Sequence, residues 1–355
     1  MAKELIILCP YPINKAPSQR FRFEQYLEKK VLKGKIPLRS FYSSKGMQAL
    51  YGSNLILKLF YLLFFFFRRN LHVLEAISYK KIFIHRELSP LGPPFYEWFL
   101  TVLGKEIIYD FDDAIWLSNV SKVNKKFDFI KAYWKVPKII KWAKLVTVGN
   151  SYLGQYAKQF NINIKIVPST VDTESVHNEL KVHLSKDLIR VGWTGSHTTA
   201  EKYLSRMVDV LKKLNDHLKF EFVVISNQCP QIELENLVFI PWNKETEIAD
   251  LLTFDIGIMP MGNEEWENGK CSFKAIQYMA LGIPTVLSPY GNNIEVVDNN
   301  SDGLYASNDR EWFECLAKLI VNHELRKRLG EKARKKIIEH YSLKSQEEHY
   351  RSIFS

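Results

Sequence analysis

The 355-residue sequence predicts two Rossmann-like, doubly wound α/β domains facing a central cleft. Three observations carry that expectation. The chain is long for one hydrophobic core, so two domains are the natural count. Short apolar runs alternate with longer helical patterns throughout, as parallel sheets with helical crossovers require. A polar seam, VPSTVDTESVHNELKVHLSKD, opens on a Pro/Ser/Thr turn and precedes a fresh strand.

The strands expected before the seam are Leu5–Leu8, Ile82–Ile84, Glu106–Tyr109, Leu145–Val148 and Lys165–Val167. Those after it are Ile189–Gly192, Phe220–Ile225, Leu237–Ile240, Ile256–Met259 and Thr285–Leu287. The expected domains are residues 1–178 and 179–340, with a last helix at about 341–355 packing back on the first. Ligands of such sheets bind beyond the carboxyl ends of the strands, so the loops there are the places to look.

Hydrophobic residues make up 46% and charged residues 25%, the balance of an ordinary globular protein. The formal charge of +10 favours anionic partners: nucleotides, nucleic acid, lipid headgroups or a lipid pyrophosphate. Cys9, Cys229, Cys271 and Cys315 are far apart and lack metal-ligand spacing, which points to a reducing, cytoplasmic compartment without structural zinc. The start, MAKELIILCPYP, reads as a first strand rather than a signal peptide. Leu55–Phe67, LILKLFYLLFFFF, is followed by Arg68 and Arg69. As a helix of ~20 Å it is too short to span a bilayer. It is either a buried core helix or an interfacial one whose arginines stay with lipid phosphates.

In the second half, IRVGWTGSHTTAEKYL reads strand, glycine loop, helix, with a capping-box spacing at Thr198 and Glu201. Gly192 and Gly195 allow a tight turn that leaves amides for a phosphate, and Thr194 and Ser196 stand beside them. Further on, GKCSFKAIQYMALGIP has Ser272 as N-cap and Gly282 as the helix stop. Lys270, Lys274 and the amides around Ser272 and Phe273 converge on one anion site, with Gln277 on the same face as Lys274.

The segment DIGIMPMGNEEWENGKCSFKAIQYMALGIPTVLSPYGNNIEVV and the tail WFECLAKLIVNHELRKRLGEKARKKIIEHYSLKSQEEHY resemble the C-terminal domain of retaining group-one (family-four) glycosyltransferases of the GT-B fold. VTVGNSYLGQYA and IKIVPSTVDTE are similar to the end of that family's N-terminal domain. The resemblance implies a nucleotide-sugar donor on the second domain, an acceptor on the first, retention of configuration and no obligatory metal or other cofactor. Protein donors then neutralise the departing diphosphate. Gly195, Ser196, Lys270 and Lys274 are the residues assigned to that work, with Lys202 a weaker candidate. The family's spaced pair of glutamates falls here on Gly269 and Gln277. Gln277 can still bond ribose hydroxyls, and Glu267 or Glu265 can reach in from the preceding loop.

In the first domain, Arg20 and Arg22 follow the first strand and can bind donor diphosphate or an acceptor phosphate, with surface salt bridging the plainer alternative. His85 and Arg86 end another strand on the acceptor side. Asp110, Asp112 and Asp113 follow a third. A DxD can hold a divalent metal, but a second domain speaks against the single-domain fold that uses it so; Asp112 and Asp113 are read as acceptor-orienting residues or caps. The run Ser121–Leu145 has eight lysines, one acid and interleaved aromatics. Nucleic acid, an anionic membrane surface and a solvated face all suit it. With the family, residues 55–69 and 122–144 favour a peripheral place on the inner face of the cytoplasmic membrane over nucleic acid. The function expected is transfer of a sugar to a glycan or polyprenyl-pyrophosphate-linked acceptor in surface polysaccharide synthesis. The alternative is an inactive GT-B relative that binds nucleotide sugar or glycan.

Overall fold

The computed structural model describes residues 3–29, 31, 36–52, 54–118 and 128–354. Part of the lysine-rich run, residues 121–127, therefore lies outside the described residues. The chain divides into two compact units. The first comprises Met1–Ser169, Gly269–Cys271 and Glu347–Ser355; the second comprises Thr170–Asn268 and Ser272–Gln346.

The first unit is built on six parallel strands: β1 (Lys3–Cys9), β2 (Leu38–Ser40), β3 (Tyr79–His85), β4 (Glu106–Phe111), β5 (Leu145–Val148) and β6 (Ile164–Ile166). Their order is β2-β1-β3-β4-β5-β6. The inner strands are near-continuous aliphatic runs because helices cover both faces. Ile6, Ile7, Leu8, Ile82 and Ile84 are completely buried. β1 is where the connections change direction, so the crevice beyond β1 and β3 is the natural ligand position.

The second unit repeats the architecture with β7 (Ile189–Thr194), β8 (Phe220–Ser226), β9 (Leu237–Pro241), β10 (Ile256–Met259), β11 (Thr285–Leu287) and β12 (Leu304–Tyr305). The order β12-β11-β10-β7-β8-β9 places the switch between β7 and β10. Trp193, Leu211, Phe222, Ile258, Leu316 and Leu329 belong to its largest buried cluster.

Two strands escape sequence reading. β2 and β12 are edge strands of three and two residues, too short to show a period. The helix begun by Leu55–Phe67 also runs on to Ala76, 22 residues in all. Its arginines turn inward, which corrects the expectation that they meet lipid phosphates. Arg68 Nη2 donates to the carbonyls of Ser40 (2.5 Å), Phe41 (3.1 Å) and Tyr42 (2.9 Å). Arg69 is fully buried and donates to the Cys9 carbonyl at 2.8 Å. Both therefore cap the carboxyl end of the sheet. Among the described residues no helix is long and apolar enough to cross a membrane.

The last helix, Glu347–Phe354, belongs to the first unit. Tyr350 stacks on Tyr26 with ring centroids 3.7 Å apart, and Phe354 stacks on Phe83 at 4.8 Å.

Candidate active site

In the first unit the residues beyond β1, β3 and β4 form one buried polar network around Asp110. Its carboxylate accepts from Thr147 Oγ1 (2.7 Å), from Arg22 Nε (3.3 Å) and from Arg22 Nη2. His85 Nδ1 lies 2.7 Å from Asp110 Oδ2, and His85 Nε2 lies 2.9 Å from Ser18 Oγ. Burial alone would raise the Asp110 pKa; Arg22 and His85 together outweigh it and hold the carboxyl well below its ordinary range. Arg22 and His85 are 1% and 0% exposed, so their side chains hold the site's floor instead of meeting an acceptor. Arg20 lies over the Phe21 ring, 4.2 Å from its centroid.

Above that floor sits a second cluster. Arg86 has a left-handed backbone (φ 61°), fixed by its amide donating to the Asp110 carbonyl at 2.7 Å. That conformation costs a non-glycine residue about 1–3 kcal/mol and occurs preferentially at functional sites. Its guanidinium then donates to Asp112 Oδ1 at 3.0 Å and to Asp113 Oδ2. The two carboxylates part company in acidity. Burial raises Asp112, but Arg86, His85 and Arg22 together outweigh it and the pKa falls; for Asp113 burial prevails over Arg86, helped by the Asp112 charge, and the pKa rises. The Lys270 ammonium opposes that rise.

Lys270 reaches Asp113 because Gly269–Cys271 packs within this unit. Asn150, which caps its own helix by accepting from the Leu153 amide at 2.9 Å, donates its Nδ2 to the Lys270 carbonyl at 3.1 Å. Cys271 Sγ donates to the Asp112 carbonyl at 3.2 Å. A Cβ on Gly149 would lie 2.2 Å from that sulfur, and a Cβ on Gly269 would lie 2.6 Å from the Ala114 amide nitrogen. The second distance explains why position 269 holds no carboxylate. Any side chain there would collide with backbone.

The second unit arranges its residues at the β7/β10 switch. Here the structure corrects the phosphate-loop expectation for Gly192 and Gly195. Gly192 is a strand residue whose missing Cβ makes room for the Phe254 ring, 2.1 Å from where that carbon would stand. Three amides here are committed to protein acceptors: Thr194 to Tyr278 Oη (2.9 Å), Gly195 to the Ile225 carbonyl (3.1 Å) and His197 to Asn227 Oδ1 (2.9 Å). The helix is capped by Ser196, whose Oγ accepts from the Thr199 amide, rather than by Thr198. Glu201 accepts from the Gln231 amide at 2.9 Å instead of closing a capping box.

Gly195 has another use. A Cβ there would stand 2.5 Å from Trp193 Cη2 and 2.8 Å from Lys274 Cε, so its absence lets Lys274 cross the indole. Lys274 Nζ sits 5.3 Å from the Trp193 ring centroid, a cation–π contact that fixes the ammonium. One turn on, Gln277 is 4% exposed, and its Nε2 is buried without an acceptor among the described residues. Ser272 is left-handed (φ 53°) and, contrary to the expected cap, its hydroxyl donates to Asn293 Oδ1 at 2.6 Å. Phe273 packs against the cluster that includes Met259 and Val296.

Glu267 completes this unit's constellation. It lies in the short helix Glu265–Asn268 with no exposed surface. Oε1 accepts from Lys202 Nζ (2.5 Å) and Tyr203 Oη (2.6 Å), while Oε2 has no donor among the described residues. Burial raises its pKa but Lys202 and Tyr203 prevail, so the carboxylate stays ionised. A cavity beside Tyr203 is lined also by Met261, Ser288, Tyr290, Asn308 and Trp312. Among the described residues no three His, Cys, Asp or Glu side chains are grouped to hold a metal ion.

The structure thus gathers Arg22, His85, Arg86, Asp112, Asp113 and Lys270 in the first unit. Lys274, Gln277, Glu267 and the β7 loop belong to the second. Lys270 and Lys274, four residues apart in sequence, fall in different units. Sequence reading missed Ser18, Gly149, Asn150 and Tyr203. Only the Gly-Asn pair after β5 carried a signal, a tight turn followed by a good N-cap.

Two parallel α/β units of this kind define the GT-B class of glycosyltransferases, and solved structures agree. The chain is similar to a glycosyltransferase from Rickettsia africae (TM-score 0.68, 15% identity, 99% of this chain and 98% of that one). It is also similar to sucrose-phosphate synthase from Thermosynechococcus elongatus (0.70, 13%, 99% of each chain). HepE of Anabaena in complex with UDP and glucose aligns at 0.64, with 12% identity over 98% of each chain. No curated protein matches the chain by sequence. Residues 196–336 match the family described as glycosyl transferases group 1, and by that domain the chain is a glycosyltransferase.

Proposed function

We propose that this glycosyltransferase is retaining and metal-independent, and moves a sugar from a nucleoside-diphosphate sugar to a glycan or lipid-linked acceptor in surface polysaccharide synthesis. The observation that carries the reading is the placement of Lys274. Its ammonium is held over Trp193 at the carboxyl end of β7, one turn before a buried amide donor on Gln277. A fixed cation and a donor at the sheet's switch point suit a diphosphate and the ribose beyond it. Charge developing on the leaving diphosphate would meet Lys274, which is the work a metal does elsewhere.

Glu267 is the acid of this site. Held through Oε1 by Lys202 and Tyr203, it offers Oε2 to a hydroxyl of the donor sugar, in place of the carboxylate that Ala114 forbids at position 269. In the first unit Asp113 orients the acceptor hydroxyl, with Arg86 and Lys270 setting its charge. The free cysteines fit a reducing cytoplasm, where nucleotide sugars are made.

UDP is the first nucleotide to try, because Anabaena HepE has been seen with it. The test is calorimetric titration with UDP, GDP, ADP and dTDP, in EDTA and again in magnesium. Tight binding of one nucleotide under both conditions supports the reading; binding only with magnesium overturns its metal-independent part. Retention is checked by NMR of the product's anomeric proton.

A further inference from the structure

The helix Leu55–Ala76 is predominantly apolar, yet only one side is covered. Phe65, Arg69, Val73 and Ala76 are buried against the sheet. At about 100° per residue, Ile56, Phe60, Leu63, Phe67, Leu71 and Leu74 all fall on the opposite side. Each is between 50% and 83% exposed. They form an unbroken stripe about 27 Å long. Lys58, Arg68, Arg69 and Glu75 all lie off it.

The neighbouring helices extend this surface. The steps from β2 to β3, β3 to β4 and β4 to β5 all run the same way along the sheet. Right-handed crossovers therefore put Leu55–Ala76, Phe95–Val102 and Lys135–Trp142 side by side on one face. The second helix adds Phe95, Trp98 and Val102, exposed by 58%, 46% and 63%. The third brings exposed Lys138 and Lys141, with Trp134 under the Lys138 ammonium at 4.5 Å. Carboxylates on these elements are withdrawn: Glu97 is buried, Glu75 is paired with Arg39, Glu87 with Lys135 and Glu106 with Lys144.

We infer that this layer docks the first unit onto an anionic lipid bilayer. The stripe lies in the plane of the membrane with its leucines and phenylalanines at the acyl boundary, tryptophans at headgroup depth and lysines on phosphates. The helix cannot span, because its other side is the sheet's own cover. A second copy of the chain is the wrong occupant, since it would bring the same cationic rim against itself. The inference rests on the first unit alone and stands whether or not the donor reading does.

The experiment is flotation of the full chain with phosphatidylcholine vesicles, with and without phosphatidylglycerol. Wild type should float with the anionic vesicles and far less with the neutral ones. Phe60→Ser/Leu63→Ser/Phe67→Ser changes only the open side, and should cut binding by at least roughly tenfold at an unchanged Tm. Lys138→Glu/Lys141→Glu should cost about fivefold per lysine and abolish the preference for phosphatidylglycerol. No flotation of wild type, or equal flotation of the triple variant, overturns the proposal. So does a wild-type dimer that the triple variant dissociates, which would assign the stripe to a second copy. Should the triple variant unfold, the lysine variant decides alone.

Discussion

Tyr203 Oη donates to Glu267 Oε1 at 2.6 Å, and both side chains are buried. The phenol thus aims the free oxygen of a carboxylate that the sequence offers only as one of two acids in the loop before Gly269. Tyr203→Phe keeps the ring and removes the donor. We expect kcat/KM for the nucleotide sugar to fall roughly tenfold, since a hydrogen bond to a charged group contributes about 1.5–3 kcal/mol. Affinity for the bare nucleotide, measured by calorimetry, should not change; a parallel loss would mean that Glu267 holds the fold rather than the sugar.

Lys274→Ala should weaken binding of the cognate nucleoside diphosphate by about ten- to a hundredfold, the worth of one charge-assisted contact. Lys274→Arg keeps a cation that can stack on the indole of Trp193 and should restore part of that affinity. Equal affinity of Lys274→Ala and wild type for the diphosphate would remove the main support for the donor site.

The Arg86 cluster predicts a pH dependence. Asp113 can draw the proton of the acceptor hydroxyl as a charged base only when ionised, and burial raises its pKa. The acid limb of the rate profile should therefore have its midpoint above the ordinary carboxyl value of about 3.9. Asp113→Asn should slow turnover by about a hundredfold and flatten that limb. An unchanged limb in the variant would assign it to another group.

Asp110 should govern acid stability. Its folded pKa is depressed by Arg22 and His85, so its stabilisation is fully present above the unfolded value and is lost as pH falls through the folded one. Asp110→Asn leaves Arg22 buried beside a neutral amide and should cost about 3 kcal/mol at neutral pH. In urea melts the gap between variant and wild type should narrow below pH ~4. A constant gap would show that the ion pair is not what stabilises the floor.

Position 269 offers a direct check on a negative claim. Gly269→Glu places there the acid that the family resemblance implies, yet its Cβ would stand 2.6 Å from the Ala114 amide. The expected result is loss of stability, about 1–3 kcal/mol for overpacking, with no gain in turnover. A faster enzyme would show that the loop has room and that the carboxylate was merely missing.

What could be read in advance follows from which contacts are local. Inner strands such as β1 and β10 are buried on both faces and announce themselves as aliphatic runs, and the two-unit plan followed from their spacing with helices. Gly269 looked like a lost catalytic acid because its reason, Ala114, lies far away in sequence. Arg22 and His85 looked available because Asp110, their common partner, is on another strand. Gly192 and Gly195 looked like a phosphate turn, whereas one accommodates Phe254 and the other Lys274 beside Trp193. Lys270 and Lys274 are four residues apart, and that spacing cannot reveal that the chain passes from one unit to the other there.

The helix Glu347–Phe354 bears on how the chain is born. Tyr350 covers Tyr26 and Phe354 covers Phe83, so the first unit's hydrophobic surface closes only when these residues arrive. They are synthesised after the whole second unit, roughly 180 residues behind Ser169, or about 10–35 s of translation. The usual vectorial order, with the N-terminal domain finished first, is not open to this protein. Its first unit emerges from the ribosome with an uncovered aromatic patch that only a segment made after the second unit can close. A nascent chain in that interval is a client for chaperones, and a prematurely terminated one remains so.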